Sequence, residues 1–313
     1  MRALLVVNHK ATTTSSRVRD VLVHALRSEV DLQIAHTRRR GHAAALAQRA
    51  RTEGLDAVVV LGGDGTVNEA VNGLLVDGPG KDVPAFAVVP GGSTNVFARA
   101  LGLPKDWVEA TGVLLEALRL RRYRSIGLGR ADDRYFTFCA GLGLDAEVVR
   151  RVERARLRGQ TSTPLLYLRA TVSQYLLGTD HRDAPITLEQ PGGACESGLA
   201  NAIIQNTSPW TYLGDRPIDA CPGASFDLGL DVLAMRALRL PSTARAALQL
   251  LTQRGGDPTQ PGPHGKRVLR LHDVESFTMR CGEPMAFQLD GDYLGQRDKI
   301  RFTSAPAALR VIC

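Results

Sequence analysis

No stretch of this 313-residue sequence approaches the ~20 consecutive apolar residues that a membrane-spanning helix needs. The opening Met1–Lys10 carries one arginine and a short apolar run that ends before Asn8. That is too little for the core of a secretory leader, so it reads as a first buried strand. Cysteine is scarce and scattered: Cys139, Cys195, Cys221, Cys281 and Cys313, with no C-x-x-C pair. An odd, dispersed set argues against zinc and favours a reducing, cytoplasmic setting. Aromatic residues make up 5% of the chain, and no DNA- or RNA-binding motif occurs, which disfavours nucleic acid as a partner. The G-x-x-x-x-G-K-[ST] phosphate loop is absent, and the chain shows no internal repeat.

What is there is ordinary for a globular chain: 44% apolar residues, in a length that holds two domains with proper cores. The formal net charge of +7 favours anionic partners such as phosphates or an acidic membrane surface. The oligomeric state stays open, with a homodimer compatible with the composition.

The first third alternates strand and helix. Ala3–Val7, Ala57–Leu61 and Ala85–Val89 are continuous apolar runs, the signature of strands buried on both faces. Between and after them, Val18, Val21, Leu22, Ala25 and Leu26, then Val67, Ala70, Val71, Leu74 and Leu75, fall at helical spacing. Leu32 and Ile34 alternate with polar residues, while His42–Arg51, Phe97–Leu101 and Trp107–Leu120 read as helices. This predicts an α/β nucleotide-binding domain over 1–124, a parallel sheet covered by helices. From Ser125 onward the runs are short and separated by turn residues: Arg134–Cys139, Ile186–Glu189, Leu199–Gln205, Leu230–Ala234, Val268–Leu271, Glu275–Arg280, Ala286–Leu289, Ile300–Thr303 and Leu309–Ile312. They predict a β-sandwich-like domain over 125–313, whose last strands are free to return to the first domain. Two helical insertions interrupt it, Asp145–Arg158 and Pro164–Leu177, the second with Thr163 as N-cap.

Chemistry concentrates in Leu61-Gly-Gly-Asp-Gly-Thr-Val-Asn-Glu69, between a strand and a helix. Gly62, Gly63 and Gly65 let backbone N–H groups approach a ligand, and the helix N-terminus that follows favours phosphate. Thr66 and Glu69 have the spacing of a capping box. Asp64 suits such an anion site if Mg²⁺ or a ribose hydroxyl binds too; the plainer reading is a tight turn. A second loop, Val89-Pro-Gly-Gly-Ser-Thr-Asn-Val-Phe-Ala-Arg99, again joins strand to helix. Two such loops on neighbouring parallel strands converge at the carboxyl edge of one sheet, where such folds bind ligands. Gly141-Leu-Gly-Leu-Asp-Ala146 fits a loose dinucleotide fingerprint but lacks a βαβ setting, so it is read as structural.

These two loops, about thirty residues apart, resemble the diacylglycerol kinase catalytic family. So do Thr37 with Gly41-His-Ala43, the stretch Arg134–Val149, Ser-Phe-Asp-Leu-Gly-Leu-Asp-Val232 and Gln-Leu-Asp-Gly-Asp-Tyr-Leu-Gly295. The resemblance runs nearly the full length and implies an ATP-dependent lipid kinase, most directly one that converts diacylglycerol to phosphatidic acid; the chain's arginine clusters add a peripheral place on an anionic membrane. It assigns the nucleotide site to Asn8, Thr12, Thr37, Gly62, Gly63, Asp64, Gly65, Thr66, Asn68 and Glu69, with Gly92, Ser93, Thr94 and Asn95 from the second loop. It places a structural Mg²⁺ at Asp227 with carbonyls near Ala224 and Gly229, although Asp227 also reads as a plain turn acid. The catalytic base falls at the end of Asp290-Gly291-Asp292, on Asp292 with Asp290 beside it; the same triplet reads as a hairpin turn, and both readings hold together.

Four departures from the family pattern concern the magnesium network and the base. Val96 stands where many relatives have an aspartate, Gly127 where an aspartate often belongs to a water and Mg²⁺ network, and Asn8-His-Lys-Ala-Thr12 replaces a more usual Asn-Pro-x-Ser-Gly loop. Asp292 replaces a glutamate and is shorter by roughly 1.5 Å. Arginines cluster at Arg38–Arg40, Arg119–Arg124 and Arg150–Arg158, the last beside an apolar helix. That pairing suits either anionic headgroups or an ordinary solvated face. Two rivals to a lipid kinase remain: an NAD kinase-like enzyme, which shares Gly-Gly-Asp-Gly-Thr, and a non-catalytic relative that binds lipid or ATP.

Overall fold

A computed structural model describes residues 1–9, 11, 16–158, 160, 164–178, 184–252 and 262–313; Thr12 and Thr163 lie outside the described residues. The chain divides into two compact units, Met1–Leu128 with Pro306–Cys313, and Gly129–Ala305.

In the first unit, β1 (Arg2–Val7), α1 (Ser16–Arg27), β2 (Asp31–His36), α2 (His42–Thr52), β3 (Ala57–Gly62), α3 (Asp64–Leu74), β4 (Ala85–Pro90), α4 (Val96–Ala100) and α5 (Trp107–Arg119) follow one another. The strands stand in the order β2-β1-β3-β4, all parallel. Because helices cover them, β3 and β4 are buried at every residue, as their unbroken apolar runs require. On one face Leu5, Val59 and Ala87 pack with Leu22 and Leu26 of α1 and with Leu114 and Leu118 of α5. Asp106 starts α5 by accepting hydrogen bonds from the Val108 and Glu109 N–H groups at 2.8 and 3.1 Å, a cap of the ordinary kind.

The second unit is sheet-rich. Its elements are β5 (Tyr123–Ala131, entering from the first unit), β6 (Arg134–Phe136), β7 (Cys139–Leu142), α6 (Leu144–Leu157), α7 (Pro164–Leu177), β8 (Ile186–Glu189), β9 (Cys195–Leu199), β10 (Asn201–Gln205), β11 (Thr211–Leu213), β12 (Arg216–Ile218), β13 (Leu230–Met235), α8 (Leu240–Thr252), β14 (Val268–Val274), β15 (Ser276–Leu289) and β16 (Asp292–Ile312). An antiparallel path runs β14-β13-β10-β7-β15-β16. β15 gives the unit its folded, sandwich-like character. Its first half pairs with β8 through Thr278–Cys281, its second half with β7 through Phe287–Leu289, and the register slips between Arg280 and Met285. Such slips bend a strand. Phe277, Met279, Phe287 and Leu289 from both halves then share one core with Ile186, Leu188, Ala140 and Leu142.

The sequence reading lacks β5, β9, β11 and β12 and runs Leu199–Gln205 as one strand where β9 and β10 divide at Ala200; three further features differ from it. Arg134–Cys139 is two strands, because the N–H groups of Thr137, Phe138 and Cys139 turn away from any ladder toward the Asp290 carboxylate. Ser276–Leu289 and Asp292–Ile312 are each one long strand. And α8 is a third helix, absent from the sequence reading, which fully buries only Ala246.

Candidate active site

The carboxyl ends of the parallel strands meet in register. Asn8 N–H donates to Leu61 O at 3.0 Å, Thr37 N–H to Val7 O at 2.9 Å, and Gly91 N–H to Gly62 O at 2.9 Å. Asn8 also reaches sideways, its Nδ2 donating to Thr66 Oγ1 at 2.8 Å. Between β3 and β4 the two glycine loops press backbone against backbone. A Cβ on Gly92 would lie 2.7 Å from Gly63 Cα, and one on Gly63 would lie 3.2 Å from Gly92 Cα. Gly63 has φ −92°, so the demand for glycine there is close approach and owes nothing to a left-handed backbone.

Asp64 ties the loops together. Its carboxylate accepts hydrogen bonds from Val96 N–H and Phe97 N–H, both at 3.1 Å, and so caps α4 from the other loop. Asn95, in a left-handed conformation with φ 51°, closes the second loop instead: its Oδ1 accepts from Gly92 N–H and its Nδ2 donates to Gly92 O, each at 2.8 Å. The expected capping box does not form. α3 begins at Asp64 with Gly63 as N-cap and no side-chain cap, and Glu69 points elsewhere, accepting from Gly41 N–H at 2.7 Å and Ala43 N–H at 3.2 Å at the start of α2. Asn68 is fully buried, with Asn72 Nδ2 donating to its carbonyl at 2.8 Å. Ser93 is exposed, and Gly65 and Thr94 are half-buried.

In the second unit, Asp290 and Gly291, with φ 49° and 81°, form the two-residue turn between β15 and β16, where Leu289 pairs with Asp292. Consecutive positive φ values match the turn that a twisted hairpin prefers. Asp290 is buried, and both carboxylate oxygens are engaged. Oδ2 accepts from Thr137 N–H (2.7 Å) and its hydroxyl (2.9 Å), and Oδ1 from Phe138 N–H (3.0 Å) and Cys139 N–H (3.1 Å). Four donors make it an anchor for that loop. Asp292 is half-buried on β16.

A residue the sequence reading left out borders this turn. Gln288 Oε1 accepts from Gly291 N–H at 2.9 Å, and its Nε2 donates to Asp145 Oδ2 at 2.7 Å. Asp145 belongs to the Gly141–Ala146 segment, and a Cβ on Gly141 would lie 1.9 Å from its Oδ2. The glycine thus makes room for a carboxylate, and that acidic residue after Gly-Leu-Gly-Leu was the available signal. Burial pushes the Asp145 carboxyl up to about 6, against a smaller lowering by the Gln288 hydrogen bond. The folded state therefore binds a proton that the unfolded chain releases near its ordinary value, and stability declines as pH rises through that interval. Asp145→Asn keeps an acceptor for Gln288 and should stabilise the protein at pH 8 by up to about 3 kcal/mol, with only a small part of that gain left at pH 4. Chemical denaturation at the two pH values checks this; an equal gain at both would refute it.

The turn assigned to a metal is compact. Leu228 N–H donates to Ser225 O at 3.1 Å, Asp227 N–H to Ser225 Oγ at 3.3 Å, and Gly229 N–H to Asp273 Oδ1 at 2.6 Å. The Ala224 carbonyl accepts from Ser208 N–H at 3.0 Å. Asp227 is exposed. Among the described residues no group of three or more His, Cys, Asp or Glu side chains could hold a metal. The Arg150–Arg158 cluster is partly committed inside the unit. Arg150 pairs with Glu147 at 2.6 Å, and Arg151 bonds to Gln174 and Ser173 of α7.

Residues 2–131 match the family model described as the diacylglycerol kinase catalytic domain. A diacylglycerol kinase of Bacillus subtilis (strain 168) is 38% identical over 261 residues, 82% of this chain and 77% of the relative. The chain belongs to this family of lipid kinases. A diacylglycerol kinase of Staphylococcus carnosus (strain TM300) is 34% identical over 129 residues, covering 41% of this chain and 40% of that relative. A crystal structure of a diacylglycerol kinase from Bacillus anthracis str. Sterne superposes with a TM-score of 0.72 at 20% identity, over 99% of this chain and 96% of that one, which shows the shared fold. Of the two positions read from the sequence as departures from the family pattern, Val96 is buried as the first residue of α4, and Gly127 is buried within β5. No described helix is long and apolar enough to cross a membrane.

Proposed function

We propose that this kinase transfers the γ-phosphate of ATP to the hydroxyl of a lipid alcohol, most directly diacylglycerol, giving phosphatidic acid. The observation that carries the reading is the seating of Gly63 on Gly92 beside the N-terminus of α3. It leaves backbone rather than side chain at the sheet edge, where helix N-termini favour phosphate. On this reading Asn8, Thr12, Thr37, the stretch Gly62–Glu69 and the loop Gly92–Asn95 hold the nucleotide. Asp64, Asn95 and Asn68 act by fixing the backbone around it. The first unit is then the ATP-binding domain and the second the lipid-substrate domain.

Asp292 accepts the proton of the attacking hydroxyl, general-base work that a half-buried carboxylate can perform. Asp290 holds the turn that presents it. The Asp227 carboxylate with the Ala224 and Gly229 carbonyls forms an all-oxygen donor set, which fits a hard cation such as Mg²⁺. That ion would be structural; a separate Mg²⁺ carried with ATP would supply charge neutralisation in phosphoryl transfer. The enzyme acts as a peripheral protein on an anionic membrane, where Arg154 and Arg158, both exposed, face the headgroups.

A radiolabelled-ATP screen tests the reading, offering diacylglycerol, other lipid alcohols and NAD, with products identified by mass. A labelled phospholipid supports it, and labelled NADP would establish the rival. Thermal stabilisation by Mg-ATP with no ADP release from any acceptor would make the chain a binding relative without turnover.

A further inference from the structure

We infer that the solvent face of α8 is a docking surface for an anionic phospholipid bilayer. This rests on the reading of the chain as a kinase of a bilayer-resident alcohol, and it adds the element that reaches the bilayer. Leu240, Ala244, Ala247, Leu248 and Leu251 recur along α8 at the spacing of one helical face, and all are exposed. The three leucines are 65%, 61% and 48% exposed. A helix that fully buries only Ala246 and leaves this stripe in water is unusual for a monomeric protein, in which contiguous apolar patches mark interaction sites.

The charges around the stripe select the occupant. Between Asp231 and the end of α8 at Thr252 there is no acidic residue, while Arg236, Arg239 and Arg245 are present. Arg236 pairs with Glu196. Arg239 and Arg245 are exposed and form no ion pair among the described residues. An apolar face with cations and no anions is the pattern of helices that lie in a lipid interface. A second copy docked on the same face would bring these arginines against their own counterparts; an anionic bilayer supplies the opposite charge. The neighbouring helix shares the character. Tyr175 of α7 donates its hydroxyl to Leu238 O at 2.8 Å and packs on the cluster of Leu238 and Ala246, while Val172 and Leu176 of α7 stay exposed.

The test is co-sedimentation with phosphatidylcholine vesicles, with and without phosphatidylglycerol, at low and high salt. The parent should prefer the anionic vesicles. Leu248→Glu combined with Leu251→Glu replaces exposed side chains, and melting temperature verifies its fold. It should weaken binding at least about tenfold. Arg239→Gln with Arg245→Gln should weaken the preference for phosphatidylglycerol and flatten its salt dependence, with Arg154 and Arg158 supplying what remains. Val76→Glu, on an exposed apolar residue of the first unit, should bind like the parent. Vesicle binding unchanged by the leucine pair overturns the proposal. So does a leucine-pair variant that turns a dimer into monomers without losing vesicle affinity, which would make the face an interface between copies. Phosphorylation of a short-chain, water-dispersed diacylglycerol, measured in parallel, should be the same in parent and leucine variant. Absence of that activity in the parent would count against the kinase reading, while α8-dependent binding would still stand.

Discussion

Asp292→Asn should lower turnover ~10²–10⁴-fold, the usual loss when a positioned general base is removed, while Mg-ATP affinity stays at the parental value. The substitution keeps the shape of the side chain and removes its ability to take a proton, so the effect falls on kcat and spares nucleotide binding. Asp292→Glu restores the longer acid that the family pattern carries and should retain measurable activity. Asp290→Asn separates the two carboxylates of the turn. The Asp290 oxygens accept from three backbone N–H groups and one hydroxyl, and an amide offers one acceptor oxygen where these donors use two. The N–H groups left without partners in a buried loop each cost roughly 1–3 kcal/mol, so this variant should lose melting temperature first and activity as a consequence. Steady-state phosphorylation, Mg-ATP titration and thermal melts on all three variants distinguish the roles. If Asp292→Asn turned over like the parent, Asp292 would not be the base.

The strands and most helices were legible because continuous apolar runs and helical spacing report burial directly, as in Ala57–Leu61 and Trp107–Leu120. The two glycine loops were legible as motifs, but the work of their polar members was not. Thr66 and Glu69 have capping-box spacing, yet Glu69 serves α2, a helix that starts 27 residues earlier at His42; only the packing of α2 on α3 chooses that partner. Asp64 reads in the sequence as a candidate metal or ribose ligand, and nothing local announces that its carboxylate also caps α4 across the loops. The break at Thr137 depends on Asp290, some 150 residues away along the chain. Partners that distant leave no local period. α8 is the opposite case: Leu240, Ala244, Leu248 and Leu251 carry a local helical period, and what the sequence cannot say is that this stripe faces water.

The largest effect on nucleotide binding should come from adding side chains where the loops touch. At Gly92 a Cβ would lie 2.7 Å from Gly63 Cα, a distance real Cβ atoms essentially never show, and the atom it meets is backbone. At Gly63 the corresponding distance is 3.2 Å, which a shift of a few tenths of an ångström relieves. With φ at −92°, Gly63 imposes no penalty on an L-residue through its backbone torsion, so crowding alone decides the outcome. The expected order of damage to Mg-ATP affinity is therefore Gly63→Ala mild, Gly92→Ala larger, and Gly63→Val a loss of at least about 100-fold, on the order of 3 kcal/mol. The branched side chain of valine adds two more carbons to the same gap. Calorimetric titration of Mg-ATP measures the series, and a thermal melt of each variant separates lost binding from lost fold. Gly92→Ala also brings a Cβ to 3.0 Å from Asn95 Oδ1, so the size of the wedge is read most cleanly from Gly63→Ala against Gly63→Val. Three folded variants that all bind Mg-ATP like the parent would remove this sheet edge from phosphate binding.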